Sequence, residues 1–550
     1  VPDRSSTMDR RLCWPRPNPL RDRDMQRITL AAKLAFLCAS STALWAHPLT
    51  AQSTAAPDPA AMPRALHEVV LGGRKFPHVD SKLGSVDVRA IASLGGTLSL
   101  AWFGATRPAI EGDAQALQTW MRGVADDLGL RGFEPTLRTT TDRYGLRVLD
   151  FELRKNGILL LDSFVSVYLD ERGVLGVHNH FPEPVADIAA FEASEAKGRV
   201  WFAARRDDMR YDIVLAEQRV EETATHSILR VYRGPTMVLE RFEQKQSFAG
   251  PLTAASFEEF QVPSGSFPDQ IWADSTGRIW FSQPPNNQLT VFDPEAKTFR
   301  SYPTTGGSGP DGLWTDDKDR VWTGLYYSQQ VGFLDVTTKV FTTISMPYSP
   351  SSPAIPSPSI DGRIWVTGHA NNPFSEYAPA SKQWVQSIVL PLTQTWVVEG
   401  ALEPSTGTSW FTGTFQHVMV AKEPGKAVVN VPVASRGGPA FLAVHDGKVW
   451  FSEWYANRLG VVDAKTQAVT EYTMRTGENG GPMSVMPDGR PVVGTRGAGY
   501  IVVFDPTTRS FVDYKIPTST GLKDGLTVAP DGSIWFTGTS TNRIARLILE

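Results

Sequence analysis

The chain has 550 residues, more than one ordinary hydrophobic core accommodates, so at least two domains are expected. A content of 41% hydrophobic and 20% charged residues, with 46 Gly and 40 Pro, excludes a disordered chain and points to a folded, turn-rich one. The formal net charge of −4 makes nucleic acid and anionic membranes poor partners.

In chain order, the first feature is a leader. Arg27 and Lys33 precede an apolar run from Leu34 to Trp45, followed by small residues as far as Ser53. That basic, apolar, small-residue order reads as a secretory signal peptide, so residues 1–53 are expected to be removed and the protein to be secreted or periplasmic. The apolar run is too short to span a bilayer, and no other stretch is long and apolar enough to try. Cys13 and Cys38 both lie in this leader, which leaves the exported chain without disulfide or thiol chemistry. Its surplus of four positive charges would take the net charge to about −8 on removal.

Residues 65–250 predict a small α+β domain. Asp113 can cap a helix with Leu117, Trp120, Val124 and Leu128 on one face. Strands are expected over 146–153, 158–169 and 174–180, separated by turns at Lys155-Asn156-Gly157 and Asp170 to Gly173. A second helix is expected with Ser194 as its cap and Ala196, Val200 and Ala203 on one face, followed by strands over 212–215 and 227–232.

Residues 256–550 repeat. Tryptophans at 280, 322, 365, 410 and 450 are 42, 43, 45 and 40 apart; Val492 takes the next slot, and Trp535 follows 43 residues later. Each unit holds a short apolar run, a turn such as Asp488-Gly489 or Asp531-Gly532, the aromatic strand, and two further strands. Four strands per period of this length is the signature of propeller blades, so a mainly β chain with a seven-bladed β-propeller is predicted. The last unit ends one strand short, and Phe257 to Val262 resembles the fourth strand at Phe511 in sequence, so it is expected to close the ring from upstream.

Residues just before the first strand and just after the second share one mouth of the channel. These are Asp269, Asp311, Glu399, Ala440, Met483 and Asp524 on one side, and Gln283, Tyr326, His369, Glu453, Trp454 and Arg496 on the other. Several converging carboxylates suit a divalent cation or a cationic substrate group, or else form a solvated acidic rim. Asn287, Asn372, Asn457 and Asn542 recur seven residues after each aromatic, with His417 in that slot in the fourth unit; they read as turn residues.

Two stretches resemble known families. Tyr144 to Gly173 resembles the propeptide modules of thermolysin-type proteases, and the Ser194 segment resembles the PepSY module that often follows; the resemblance implies a domain that docks on the propeller and inhibits its mouth, and the alternative is a packing or substrate-docking domain. Trp450-Phe-Ser-Glu-Trp-Tyr-Ala-Asn-Arg-Leu-Gly460 resembles the blade motif of streptogramin B lyases (virginiamycin B lyase). The resemblance covers residues 256–550 and implies Mg²⁺ at the mouth, with Glu453 as a ligand, and β-elimination on a cyclic ester. The catalytic His of that family follows the Pro that opens the same blade, whereas Pro439 is followed by Ala440 here.

The leading expectation is therefore a secreted lyase-like enzyme acting on an ester or uronate-like substrate by metal-assisted elimination, with Glu453, Glu399 and Asp524 around a divalent cation. His369, Tyr326 and Tyr327 are the candidate catalytic groups, and Trp454, Arg496, Asp311 and Asp269 the candidate substrate contacts. Two alternatives stand beside it: a non-catalytic propeller that binds a peptide or glycan through Trp454, Tyr326, Tyr327 and Arg496, and a lactonase or esterase-type hydrolase.

Overall fold

The computed structural model describes residues 67–549 except short stretches. In the N-terminal half these are 72–73, 84–85, 93–97, 104–107, 109, 111–112, 144–145, 171–172, 183–184, 191–196, 207–209 and 246–254. Further on they are 264–266, 348–352, 369–372, 390–396, 415, 455, 475–479, 497–498, 519–524 and 539–540. The expected leader, Ser194, His369, Asn372 and Asp524 fall outside the described residues. Among those described, no helix is long and apolar enough to cross a membrane.

The Asp113 carboxylate accepts the Gln115 N–H at 3.0 Å and caps the helix Ala114–Gly123. Leu117 and Met121 are buried, and the helix stops before Val124 and Leu128, which continue the same apolar face through the turns that follow. This face packs on the antiparallel strands Glu134–Arg143, Leu146–Lys155, Ile158–Asp170 and Gly173–Asn179. Asn156 and Gly157 turn between two of them in the left-handed region, φ 54° and 76°.

The expected second helix is absent over Val200 and Ala203. Arg199–Arg205 is a strand, antiparallel to Tyr211–Glu222 and touching Leu160 in parallel through Trp201. Both of its faces are buried, so its apolar residues do not alternate, and the pattern mimics a helical one. The sheet continues through His226–Arg233 and Thr236–Gln244.

In each repeat a short innermost strand pairs with the aromatic strand, and two more strands follow outward, as in Ile271–Ala273, Ile279–Gln283, Gln288–Asp293 and Thr298–Pro303. Trp280 and Trp322 are buried, and their indole N–H groups donate to Asp274 and Asp316 at 2.9 and 2.8 Å. The same carboxylates hold Arg278 and Arg320 from the hairpin turn, so the recurring Asp, Arg and Trp form a structural unit. Asn287, Asn542 and His417 sit at φ 50°, 54° and 56° in the turn after the aromatic strand, as expected of turn residues. Asn287 and Asn542 accept the N–H groups of Gly309 and Phe267, each at 3.0 Å, and so tie one repeat to the start of the next.

Among the described residues six four-stranded sheets stand alone, where the repeat predicted seven. The fifth repeat forms the same four-strand meander, Pro439–His445, Lys448–Glu453, Arg458–Asp463 and Val469–Thr473, but its outer strand continues into the N-terminal sheet. Arg241, Phe242 and Glu243 pair in parallel with Glu471, Tyr472 and Thr473, which merges this repeat into a 17-stranded sheet. The difference arises because an outer propeller strand has a free hydrogen-bonding edge, and here another strand fills it. The upstream strand Ala255–Gln261 pairs antiparallel with Arg543–Leu549 and completes the last repeat, as the sequence predicts.

Candidate functional site at the channel mouth

Glu453 ends the aromatic strand of the fifth repeat opposite Pro439 and is fully buried. Its Oε2 accepts the Ser435 hydroxyl at 2.6 Å, and its Oε1 has no hydrogen-bond partner. A Cβ on Gly437 would lie 1.6 Å from Oε2, so only glycine lets the chain pass over this carboxyl. Burial and the neighbouring Glu471 carboxylate push the Glu453 carboxyl up to about 8, against the opposite pull of Arg458, Ser435 and Arg241.

Around it lies a buried charge network that crosses from the N-terminal region. Glu471 accepts the Ser435 N–H through Oε1 at 3.0 Å and Arg241 through Oε2 at 2.8 Å. Asp162 accepts Arg241 at 2.8 Å and Arg458 at 2.9 Å. Burial raises the Asp162 carboxyl, but Arg241 and Arg458 outweigh it and hold the group down at about 2. Arg436, in the connection between the fourth and fifth repeats, donates to the Asp162 and His180 carbonyls and the Ser163 hydroxyl at 2.5, 3.2 and 2.5 Å. None of Asp162, Arg241, Arg436, Arg458 and Glu471 was singled out from sequence. The available signal was a charge inside an otherwise apolar strand, as at Asp162 between Ile158 and Val165.

Glu399 stands across the seam between the fourth and fifth repeats, partly accessible. Its Oε2 accepts the Leu442 N–H at 2.8 Å, and its backbone is tied to Thr412 in both directions, at 3.1 and 3.2 Å. Burial raises its carboxyl to about 8, with the Leu442 N–H lowering it.

The other expected residues divide. Tyr327 is 45% exposed and meets the Tyr326 ring edge-on at 5.3 Å, which places an open aromatic pair at the second repeat. Asp311 is partly exposed on the strand Pro310–Thr315. Asp269 is buried between the first and last repeats, where its carbonyl accepts the Thr537 hydroxyl at 2.7 Å. Trp454 is 1% exposed against Phe441, with the Arg496 guanidinium 5.0 Å above its ring, so Arg496 is the group of this pair nearer to solvent. His417 is half-buried as a residue; desolvation of its ring, with Arg205 and Arg436 nearby, holds it well below the ordinary imidazole range, hence neutral.

No three His, Cys, Asp or Glu side chains among the described residues surround a common point. A divalent cation would find carboxylate oxygens without a hydrogen-bond partner at Glu453 Oε1 and Glu399 Oε1, and the described part of the mouth does not supply a full ligand set around either.

Comparison with known proteins gives the fold a setting. The model of the Virginiamycin B lyase family matches residues 242–495. Among solved structures, a streptogramin B lyase is 20% identical, with a TM-score of 0.51 over 55% of this chain and 100% of its own. Virginiamycin B lyase from Staphylococcus aureus is 16% identical, with a TM-score of 0.50 over 54% of this chain and 100% of its own. A catalytically inactive form of that enzyme with quinupristin matches to the same extent. No curated protein matches the chain. The propeller is therefore similar to that of the virginiamycin B lyases; identities this low carry the fold and leave the chemistry to the residues.

Proposed function

We propose that this chain is an exported enzyme whose propeller mouth opens an ester by β-elimination, with the N-terminal region docked on the fifth repeat as a propeptide-like cap. The match of the virginiamycin B lyase family model to residues 242–495, across the repeats that hold Glu399 and Glu453, is the observation that carries it. The basic and apolar leader supports export. A ring of seven positions is supported by the innermost strands, each touching the next and the last, Leu526–Val528, touching the first, Ile271–Ala273.

Elimination takes a proton from a carbon next to a carbonyl and requires the developing negative charge to be held. Arg496 can hold a substrate carboxylate, and the Tyr326 and Tyr327 rings give a substrate an apolar surface. A divalent cation such as Mg²⁺, with Glu453 Oε1 as its candidate ligand, would supply charge to the enolate oxygen.

A second reading, a binding propeller for a peptide or glycan, is favoured by the sealed state of Glu453 and by the pairing of Asp162 and Glu471 with arginines. Incubation with quinupristin separates the readings. An unsaturated product absorbing in the ultraviolet supports elimination, and a hydroxy acid assigns a hydrolase. Binding without any product assigns a recognition surface.

A further inference from the structure

Elimination needs a base in the channel, and the sequence offers His369, Tyr326 and Tyr327. The structure presents another group. Pro439–His445 is the innermost strand of the fifth repeat and has one partner strand, Lys448–Glu453, so its other edge looks onto the channel. The Leu442 N–H leaves the ladder and donates to Glu399 Oε2 at 2.8 Å. That bond puts the Glu399 carboxyl at the channel edge, across the seam from its own strand Gly400–Glu403.

The group is held rather than loose. The Thr412 N–H donates to the Glu399 carbonyl at 3.1 Å, and the Thr412 hydroxyl donates to the Ala440 carbonyl at 3.1 Å, which fixes the two strands to each other. With Oε2 engaged, Oε1 has no partner among the described residues, and the residue as a whole is partly accessible. One oxygen anchored by a backbone donor and the other open is the arrangement that aims a carboxylate at a bound molecule.

We propose that Glu399 is the general base of this mouth, a role that rests on the elimination reading above. Its Oε1 takes the proton from the carbon next to the substrate carbonyl. The C–H electron pair becomes the new C=C bond, the C–O bond of the ester breaks, and its electrons leave on the released carboxylate. Glu399 then passes its proton to water, so no oxidant, reductant or second substrate is required.

The test is turnover of quinupristin by the full chain, read as the ultraviolet absorbance of the unsaturated product. Glu399→Gln keeps the shape and the acceptor for Leu442, and is expected to lower kcat about 10²–10⁴-fold with KM little changed. Glu399→Ala is expected to regain turnover with added acetate, which supplies the missing carboxylate, while Tyr327→Ala gains nothing from acetate. Thermal melting of each variant verifies that it is folded, and Glu399→Asp, which retains a carboxylate, serves if either unfolds; it is expected to keep part of the turnover. An active parent whose Glu399→Gln variant stays within about threefold overturns the role of Glu399 and leaves the elimination reading standing. An inactive parent overturns both.

Discussion

Arg241 and Glu471, separated by 230 residues, meet at 2.8 Å with side chains 9% and 0% exposed. Arg241 lies on the last strand before the propeller and Glu471 on the outer strand of the fifth repeat, and the same two residues are paired in the sheet ladder. The N-terminal region and the fifth repeat thus share one buried charge network as well as one sheet.

Removing one member of such a network leaves the others buried and unpaired. Arg241→Ala is expected to destabilise the protein by about 3–5 kcal/mol, far beyond a surface ion pair. Because Phe242 also stacks on Tyr472 at 5.3 Å, the two regions should unfold together. Urea denaturation followed by tryptophan fluorescence and by far-ultraviolet circular dichroism should give coincident curves shifted to lower urea. Separate transitions, with only one displaced, would show that the junction does not couple them.

Asp162 predicts an acid limit. Its carboxyl is held at about 2 in the folded protein against an ordinary 3.8, so the unfolded chain binds the proton first as pH falls. Stability from this group is therefore complete above about pH 5 and is lost progressively as pH falls towards about 2, a contribution of about 2 kcal/mol. Asp162→Asn should lower stability at neutral pH and flatten the loss in that window, as measured by urea midpoints between pH 5 and 3.

Glu453 predicts the opposite slope. Its carboxyl is raised from 4.5 to about 8, so the folded protein holds the proton longer than the unfolded chain, and stability falls as pH rises between those values. Glu453→Gln, which keeps an acceptor for Ser435, should be the more stable protein at pH 8 in metal-free buffer. If Oε1 is a cation ligand, Mg²⁺ at a hundred times its Kd should stabilise the parent by about 2.7 kcal/mol and leave the variant unchanged. Equal response of the two proteins to Mg²⁺ would remove Glu453 from the ligand set.

The propeller was legible because its signal is repeated and local: a buried Trp at the same place in the aromatic strand, held in the first two repeats by a hairpin acid, and a turn residue such as Asn287 or Asn542 that bridges to the next repeat. Ring closure was legible for the same reason, since Ala255–Gln261 copies the pattern of the strand it replaces. Arg199–Arg205 was misread as a helix because both faces of that strand are covered and the period-two signal vanishes. The joining of the fifth repeat to the N-terminal sheet left no periodic trace. It depends on Arg241, Asp162 and Glu471, whose meaning appears only when distant strands are brought side by side. Sequence position placed Glu453 and Trp454 correctly at the end of the aromatic strand but not the direction of their burial.

The open aromatic pair rests on a glycine. Gly309 has φ 58°, and a Cβ there would stand 2.2 Å from the Tyr327 ring. Gly309→Ala should cost about 1–2 kcal/mol from the left-handed backbone and drive Tyr327 from its position. If Tyr327 contacts the substrate, this variant and Tyr327→Ala should raise KM for quinupristin together, whereas kcat changes little. A normal KM in both would move the substrate away from the second repeat.

Phe260 locks the ring. It comes from the upstream closing strand and lies 4.6 Å from the Phe292 ring of the first repeat and 5.7 Å from the Trp535 ring of the last. Phe257, on the same strand, meets Phe536 within the last repeat. Phe260→Ala therefore loosens the joint between two repeats, at about 2 kcal/mol for a half-buried ring, while Phe257→Ala loosens packing inside one. The joint is where a ring opens, and an opened ring presents Arg543–Leu549 as an unpaired edge. Phe260→Ala should thus unfold faster and aggregate on mild heating, seen by light scattering, at temperatures where Phe257→Ala remains clear. Equal scattering from the two variants would mean that closure does not depend on this contact.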